Sequence, residues 1–271
     1  MISNEQALQH YDAKKYRTPD GYTSDIAVFT ILSGQPEPFK PPVMKLYIML
    51  IKRSMTDSEG RPNIEAGKWA LPGGFVNPDE TAFQSAAREL KEETGVDSIH
   101  LEHYGVYDTP GRDPRGWIIS NAHYAIVPEH LLKHRQSGDD ASEVELFPVE
   151  DVLKLELAFD HERIIRDAID VIRRKLLETT AAKEFLPEEF TYSELQAVLL
   201  TVTDDSAIAL DASFARKIKS LPFIQEVPGK KTTRTSKKPT QLYRFVEKAT
   251  EANHSLYHIK GSSKSPLLIT E

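Results

Sequence analysis

The 271-residue sequence contains no cysteine, which excludes disulfide bonds and leaves the redox compartment undetermined by this criterion. It also lacks long apolar runs. The longest, residues 43–51, is interrupted by Lys45 and is far shorter than the roughly 20 residues that span a bilayer. No basic segment followed by an apolar core opens the chain, so no secretion signal is predicted. We therefore expect no membrane helix and, by default, a cytoplasmic protein.

The composition is that of an ordinary globular protein, with 39% hydrophobic and 28% charged residues. The length exceeds that of a usual single domain, so we expect two. The net charge of −7 is unevenly distributed, because residues 216–248 hold ten basic and two acidic side chains. A boundary between two functions should therefore precede this basic segment.

The first two thirds of the sequence alternate between strand-like and helical patterns. A central amphipathic helix at about 80–94 should end at Gly95 in the left-handed conformation, and a second helix is predicted at 160–177. Strands are expected at residues 24–32, 43–53, 99–107, 117–127 and 144–149. Strands on both sides of a central helix indicate an α/β/α layered domain, which we place at residues 1–180.

A second domain is predicted at residues 181–248. Thr191 and Glu194 match a capping box at the start of a helix, and a turn at 204–206 leads to another helix from about Asp211. Two strand-like runs, 224–227 and 241–246, enclose a basic stretch. Helix, turn, helix and hairpin indicate a winged helix. Residues 249–271 form a tail of unknown structure.

Three glutamates of the central helix, Glu89, Glu92 and Glu93, are spaced i, i+3 and i+4 and so project from one face. Clustered carboxylates suit hard cations such as Mg²⁺ or Mn²⁺, which can activate water and neutralise charge on a diphosphate. The alternative is a solvated helix face in which Arg88 and Glu92 form an i, i+4 ion pair.

Residues 74–96, GFVNPDETAFQSAARELKEETGV, resemble the box motif of the Nudix hydrolase superfamily. The specified positions of that motif are filled by Gly74, Glu80, Arg88, Glu89, Leu90, Glu92, Glu93, Gly95 and Val96. The resemblance implies an α/β Nudix sandwich with a mixed sheet, in which Glu89, Glu92, Glu93 and the Gly74 carbonyl hold the metal. It also implies that Glu80 and Arg88 brace the loop and helix.

A general base or further ligand often lies outside the box in this family. Glu143 is the first candidate here and Glu145 the second, although either equally fits a surface glutamate.

Further stretches, among them KWALPGGFV, TPGRDPRGWIISNAHY and LAFDHERII, resemble one branch of the family. That branch contains ADP-ribose pyrophosphatases and Nudix-related transcriptional regulators of NAD metabolism, which carry a C-terminal winged helix. The resemblance implies a nucleoside diphosphate ligand such as ADP-ribose, held near Gly73, Gly74, Arg112 and Arg115. A hairpin turn in which Asp113 pairs with an arginine is the structural alternative, and His161 is expected to cap or pack the following helix.

The winged segment implies contacts with double-stranded DNA. The candidate DNA-binding residues are Arg216, Lys217, Lys219, Lys230, Lys231, Arg234, Lys237 and Lys238. A solvated basic loop, or a winged helix that contacts protein, is the alternative. The main hypothesis is a metal-dependent hydrolase of ADP-ribose or a related compound. The second is a DNA-binding regulator that senses such a nucleotide, and for either we expect a homodimer.

Overall fold

A computed structural model describes residues 3–57, 59–97, 99–132, 141–246 and 257. Apart from Tyr257, the predicted tail at 249–271 therefore lies outside the described residues. In the part that is described, no helix is long and apolar enough to cross a membrane.

A seven-stranded mixed sheet forms the centre of the larger domain. The strands are β1 (Gly21–Ser33), β2 (Met44–Arg53), β3 (Trp69–Ala70), β4 (Gly73–Phe75), β5 (Leu101–Tyr107), β6 (Ile118–Ile126) and β7 (Ala141–Pro148). The main path of the sheet is β3-β2-β1-β6-β5, with β4 paired to β1 and β7 paired to β2. The β1–β6 pair is parallel and the other pairs are antiparallel.

Helices cover both faces of this sheet, as the alternation of apolar residues along β1 requires. Ile26 and Val28 pack in the cluster that contains Leu90 of α2 (Ala82–Thr94), whereas Ala27 and Phe29 pack in the cluster with α4 (His161–Glu178). Two short helices, α1 (Asn4–Gln9) and α3 (Val149–Val152), complete the domain. The predicted α/β/α sandwich is confirmed.

Helix α2 begins slightly later than predicted, because Thr81 rather than an earlier residue caps it. The Thr81 hydroxyl accepts a hydrogen bond from the backbone N–H of Gln84, and the Gln84 side chain accepts one from the Thr81 N–H. The carboxylate of Glu80 turns away to accept from Asn77 and Arg88. At the other end, Gly95 has the predicted left-handed conformation, with φ 72°.

The C-terminal part is a winged helix. It contains α5 (Tyr192–Leu199), α6 (Ser206–Ala209), α7 (Asp211–Lys217), a 3-10 turn (Ile218–Ser220), and the hairpin of β8 (Ile224–Thr232) and β9 (Thr240–Phe245). The predicted turn at 204–206 runs directly into the short helix α6, because the Asp205 carboxylate accepts from the Ala207 N–H and caps it. The predicted capping box of Thr191 and Glu194 is confirmed.

One apolar core joins the two parts of the chain. The cluster that contains Ile165 and Leu176 of α4 also contains Phe190, Phe214 and Phe223 of the winged helix. Tyr257 is buried in the same cluster, where its ring is nearly perpendicular to that of Phe223 at a centroid distance of 5.6 Å. The winged helix therefore packs against the sandwich, in addition to being joined to it by the polypeptide chain.

Candidate functional site

Arg88 organises the acidic face of α2. Its guanidinium forms a fork with Glu80, at 2.7 and 3.1 Å, and its Nη1 donates to Glu89 at 2.7 Å and to Glu92 at 3.0 Å. Nη2 also donates to the Phe75 carbonyl. Hydrogen bonds from Arg88 lower the pKa of Glu80 to about 2. One arginine thus holds three carboxylates and fastens α2 to the loop before it.

Glu93 is the most deeply placed of the three glutamates, with 8% of its surface exposed. Its Oε2 accepts a hydrogen bond from the Gly73 N–H at 2.8 Å. Burial raises the pKa of Glu93 to about 8, and burial also raises the pKa of Glu89. These carboxylates are in a setting that a nearby cation would stabilise in the charged form.

Gly73 and Gly74 let the backbone approach this acidic face closely. A Cβ on Gly73, which has φ 156°, would lie 2.2 Å from the Ser24 carbonyl oxygen, and one on Gly74 would lie 2.2 Å from Glu89 Oε1. The two glycines therefore bring the chain against α2 where side chains would block it.

Arginine and aromatic side chains line a cleft beside the glycines. Arg115 lies between the rings of Phe75 and Phe159, at 4.9 and 5.0 Å, and Arg53 lies 5.1 Å from the ring of Phe159. Arg53 donates only to neutral oxygens, of Ile64 and Asn63, and forms no ion pair with any described residue. Burial and the charge of Arg115 lower its pKa. Arg53 is therefore a partly buried cation without a direct carboxylate partner among the described residues, and an anion in the cleft could bind it.

The two arginines predicted to bind substrate are both already paired with carboxylates. Arg112 is buried and forms a fork with Asp160, with contacts of 2.6 to 3.1 Å. Arg115 forms a fork with Asp113, as the turn interpretation expected. Both line the cleft. Of the two, Arg115 presents more surface to solvent, since its side chain is 30% exposed and that of Arg112 is 4% exposed.

Two buried polar residues, Asp25 and His161, line the floor of the cleft. Asp25 on β1 accepts a short hydrogen bond from Ser120, and its other oxygen lies 3.9 Å from Nε2 of His161. Nδ1 of His161 accepts from the Leu71 N–H at 2.9 Å, which identifies a neutral ring, and burial lowers the pKa of His161. His161 therefore packs the start of α4 against the segment before Gly73, as expected.

The fit of a divalent cation depends on the carboxylates of α2. As they lie, no three acidic or histidine side chains among the described residues converge on one point, because Glu89 and Glu92 are turned towards Arg88. The donor set nevertheless suits a hard cation, since Glu89, Glu92 and Glu93 share one helix face beside the backbone of Gly74. Glu143 lies on β7, where it pairs with Lys52 at 3.2 Å, and Glu145 is exposed on the same strand.

The predicted DNA-binding residues fall into two groups. Lys219, Lys230 and Arg234 are paired with acidic side chains, at 3.7, 2.6 and 2.6 Å. Among the described residues, the others form no ion pair; these are Arg216, Lys217, Lys231, Lys237 and Lys238. Residues 216–238 of the winged helix therefore include five cations that form no ion pair with any described residue.

Comparison with known proteins identifies both parts of the chain. The model of the NUDIX domain matches residues 28–168, which is more than half of the sequence. The chain belongs to the Nudix family. A second model, the NrtR DNA-binding winged helix domain, matches residues 182–245.

Three relatives of this Nudix protein are informative. The ADPR responsive transcriptional repressor NtrR of Acinetobacter baylyi is 31% identical over 248 residues, which cover 90% of each chain. The ADP-ribose pyrophosphatase of Methanocaldococcus jannaschii is 45% identical over 120 residues, or 44% of this chain and 64% of that protein. The crystal structure of Shewanella oneidensis NrtR complexed with a 27mer DNA matches with a TM-score of 0.60 and 27% identity, covering 83% of this chain and 93% of that one.

Several residues of this Nudix site are not marked by any motif in the sequence. Arg53 and Asp25 each lie on a strand whose pattern predicts only the strand, and Phe159 precedes a helix where no local rule marks it. The one local signal is the interruption of an apolar strand by the acidic Asp25. These three residues line one cleft because β1 and β2 are neighbouring strands and α4 begins beside them.

Proposed function

We propose that this Nudix protein is a DNA-binding transcriptional regulator whose Nudix domain binds ADP-ribose or a related nucleoside diphosphate. The observation that carries the proposal is a winged helix with unpaired lysines that shares one core with a nucleotide-type cleft. The similarity to a repressor along 90% of the chain supports it. Such a regulator would work in the cytoplasm of a cell that has no nucleus.

The cleft suits the diphosphate of such a ligand. Its volume of about 60 Å³ is small beside the roughly 300–1,000 Å³ of pockets that enclose whole ligands. We therefore propose that the cleft holds the two phosphates and that the nucleoside lies outside its opening. Arg53 and Arg115 are the cations that would contact the phosphate oxygens, because guanidinium groups donate in a fork.

The test measures DNA affinity with and without ligand. Fluorescence anisotropy with labelled duplexes tiled across the DNA upstream of the protein's own gene should find one that binds specifically. Saturating ADP-ribose should change its dissociation constant by about fivefold or more. Absence of any specific complex at low salt, with and without ADP-ribose, would overturn the proposal.

Variants of the wing sharpen this test. Replacement of Lys237 and Lys238 by alanine should weaken binding to all duplexes alike and lower the slope of log K against log salt by about 0.9 per lost phosphate contact. The matched control is alanine at Lys14 and Lys15, a second adjacent pair near the N-terminus, which should leave the slope unchanged. Light scattering of the same samples tests the predicted homodimer.

Retained hydrolysis is the second candidate, and the complete set of box carboxylates favours it. Glu89, Glu92, Glu93 and the Gly74 carbonyl would hold Mg²⁺ or Mn²⁺, after Glu89 and Glu92 leave Arg88. A bound cation would lower the pKa of a water molecule that it coordinates, and it would neutralise charge on the diphosphate. Water would then add to one phosphorus while the bridging P–O bond breaks, which gives AMP and a sugar phosphate. Glu143 stays a prediction as the base, since it does not line the cleft.

Release of AMP from ADP-ribose in the presence of Mg²⁺ tests this activity. Glu93→Gln should abolish it while DNA binding persists, because the substitution removes a metal ligand and leaves the winged helix intact. Glu129→Gln, at an exposed position outside the box and the cleft, is the control. No cleavage of ADP-ribose or of a wider nucleotide panel by the wild type would exclude hydrolysis and leave the regulator proposal standing.

A further inference from the structure

The loop between β8 and β9, residues 233–239, is fastened to the first turn of α5. Arg234 reaches both carboxylate oxygens of Glu194, with Nε to Oε1 at 2.7 Å and Nη2 to Oε2 at 2.6 Å. Nη2 also donates to the Glu189 carbonyl oxygen at 2.7 Å. Three hydrogen bonds from one guanidinium thus join this wing loop to a helix 40 residues earlier in the chain.

The partner of Arg234 is not a free surface carboxylate. Glu194 is 9% exposed, and its Oε2 also accepts from the Thr191 N–H at 2.7 Å as part of the capping box. The next wing residue, Thr235, is buried and its hydroxyl lies 3.3 Å from that of Thr191. Moving Arg234 to a phosphate would therefore leave a buried carboxylate without its cation.

The neighbouring cations behave differently. Lys231, Lys237 and Lys238 form no ion pair with any residue that the structure describes, so they can contact phosphates without breaking one. Lys230 pairs with Glu189, but its side chain is 59% exposed and the pair faces solvent. Of these five described cations, Arg234 is the one that forms an ion pair with a buried carboxylate, that of Glu194.

We propose that Arg234 is a positioning residue of the wing and not a DNA contact. Its fork with Glu194 holds residues 233–239 against α5, so that Lys231, Lys237 and Lys238 form a cationic surface of fixed shape. The inference rests on the proposed DNA-binding function and adds to it a residue that acts through its neighbours.

Glu194→Gln separates the two roles by the sign of its effect. Glutamine serves equally well in the capping box, as Gln84 does at the start of α2, so the helix cap remains. If Arg234 contacts DNA, removal of its carboxylate partner frees it and adds one positive charge, and DNA binding tightens. If Arg234 positions the wing, Glu194→Gln weakens binding in spite of the added charge.

The measurement is anisotropy of the full-length protein with a fluorescein-labelled duplex of mixed sequence and about 27 base pairs, at several salt concentrations. We expect Glu194→Gln and Arg234→Ala each to weaken binding by about fivefold. The salt slope should stay near that of the wild type, whereas Lys237→Ala should lower it by about 0.9. Tighter binding by Glu194→Gln, or a slope for Arg234→Ala reduced as in Lys237→Ala, would overturn the inference.

Hydrogen exchange provides a second reading that needs no DNA. Amides of the wing loop and of the adjoining part of β9 should exchange faster in Glu194→Gln and in Arg234→Ala than in the wild type, and Lys237→Ala should not change them. Unchanged exchange in both variants would refute the anchor. A wild-type protein that binds no duplex at low salt would refute the proposed function, and exchange would still decide the role of Arg234.

Discussion

Helices α2 and α5 begin with the same device and use it differently. Each has a threonine cap, Thr81 or Thr191, whose partner three residues later completes a capping box. In α2 that partner is the neutral Gln84, and the organising arginine, Arg88, belongs to the same helix. In α5 the partner is the charged Glu194, and its arginine comes from the wing. One box is a local feature, whereas the other is part of a long-range contact.

The difference shows which features of the molecule can be predicted from the sequence. The capped start of α5, the left-handed Gly95 and the i, i+4 pair of Arg88 and Glu92 follow from spacing along the chain, and the structure contains all three. The Thr81 cap was not predicted, and α2 begins later than the pattern indicated. The fork between Arg234 and Glu194 joins residues 40 apart, so no local pattern contains it.

The largest expected effect distinguishes the two arginines by stability. Arg88→Ala should lower the free energy of unfolding by about 3 kcal/mol, because it removes several charge-assisted hydrogen bonds at once. Arg234→Ala should cost about 2 kcal/mol, because it leaves the buried Glu194 without its cation, while solvent screens part of the interaction at the 40% exposed Arg234 side chain. Urea unfolding followed by the fluorescence of Trp69 and Trp117 measures both.

Arg216→Ala is the control for that pair, since among the described residues the Arg216 side chain donates only to the Ala212 carbonyl of its own helix. Its cost should stay below about 0.5 kcal/mol. If Arg88→Ala and Arg234→Ala lowered the free energy of unfolding equally, the local arginine would stabilise the fold no more than the long-range one, and the contrast would be wrong.

A smaller effect distinguishes the two caps. Thr81→Ala should cost about 1 kcal/mol and Thr191→Ala about 2 kcal/mol, because Thr81 is exposed whereas Thr191 is fully buried against Thr235. The serine variants, which keep the hydroxyl, serve as controls and should restore most of the loss. Equal costs for the two alanine variants would mean that the wing adds nothing to the α5 cap.

The smallest effect concerns acid stability at Glu80. Its folded pKa of about 2 lies below the ordinary value of 4.5, so its contribution is complete above pH 4.5 and is lost as the pH falls towards 2. Between these limits the wild type should lose more stability than Glu80→Gln, whose side chain does not titrate. Parallel stability curves for the two proteins in this range would contradict the assigned pKa.

The acidic half of the candidate site was predictable from the sequence, whereas its cationic half was predicted only in part, since Arg115 was expected there and Arg53 was not. Glu89, Glu92 and Glu93 lie within one helical turn, so their spacing alone places them on one face. Arg53 and Arg115 come from two separate segments of the chain, and only the folded structure brings both against the ring of Phe159. Arg112 was expected at a phosphate, and only the folded chain reveals Asp160 as its partner.

We expect the shared core of the sandwich and the winged helix to make them unfold as one cooperative unit. Because α4 and Phe190 belong to the same apolar cluster, exposing either part to solvent also exposes the surface that buries the other. Calorimetry should therefore record a single heat-absorption peak. A nucleotide that occupies the cleft would protect the distant hairpin from heat and from proteases, even when no DNA is present.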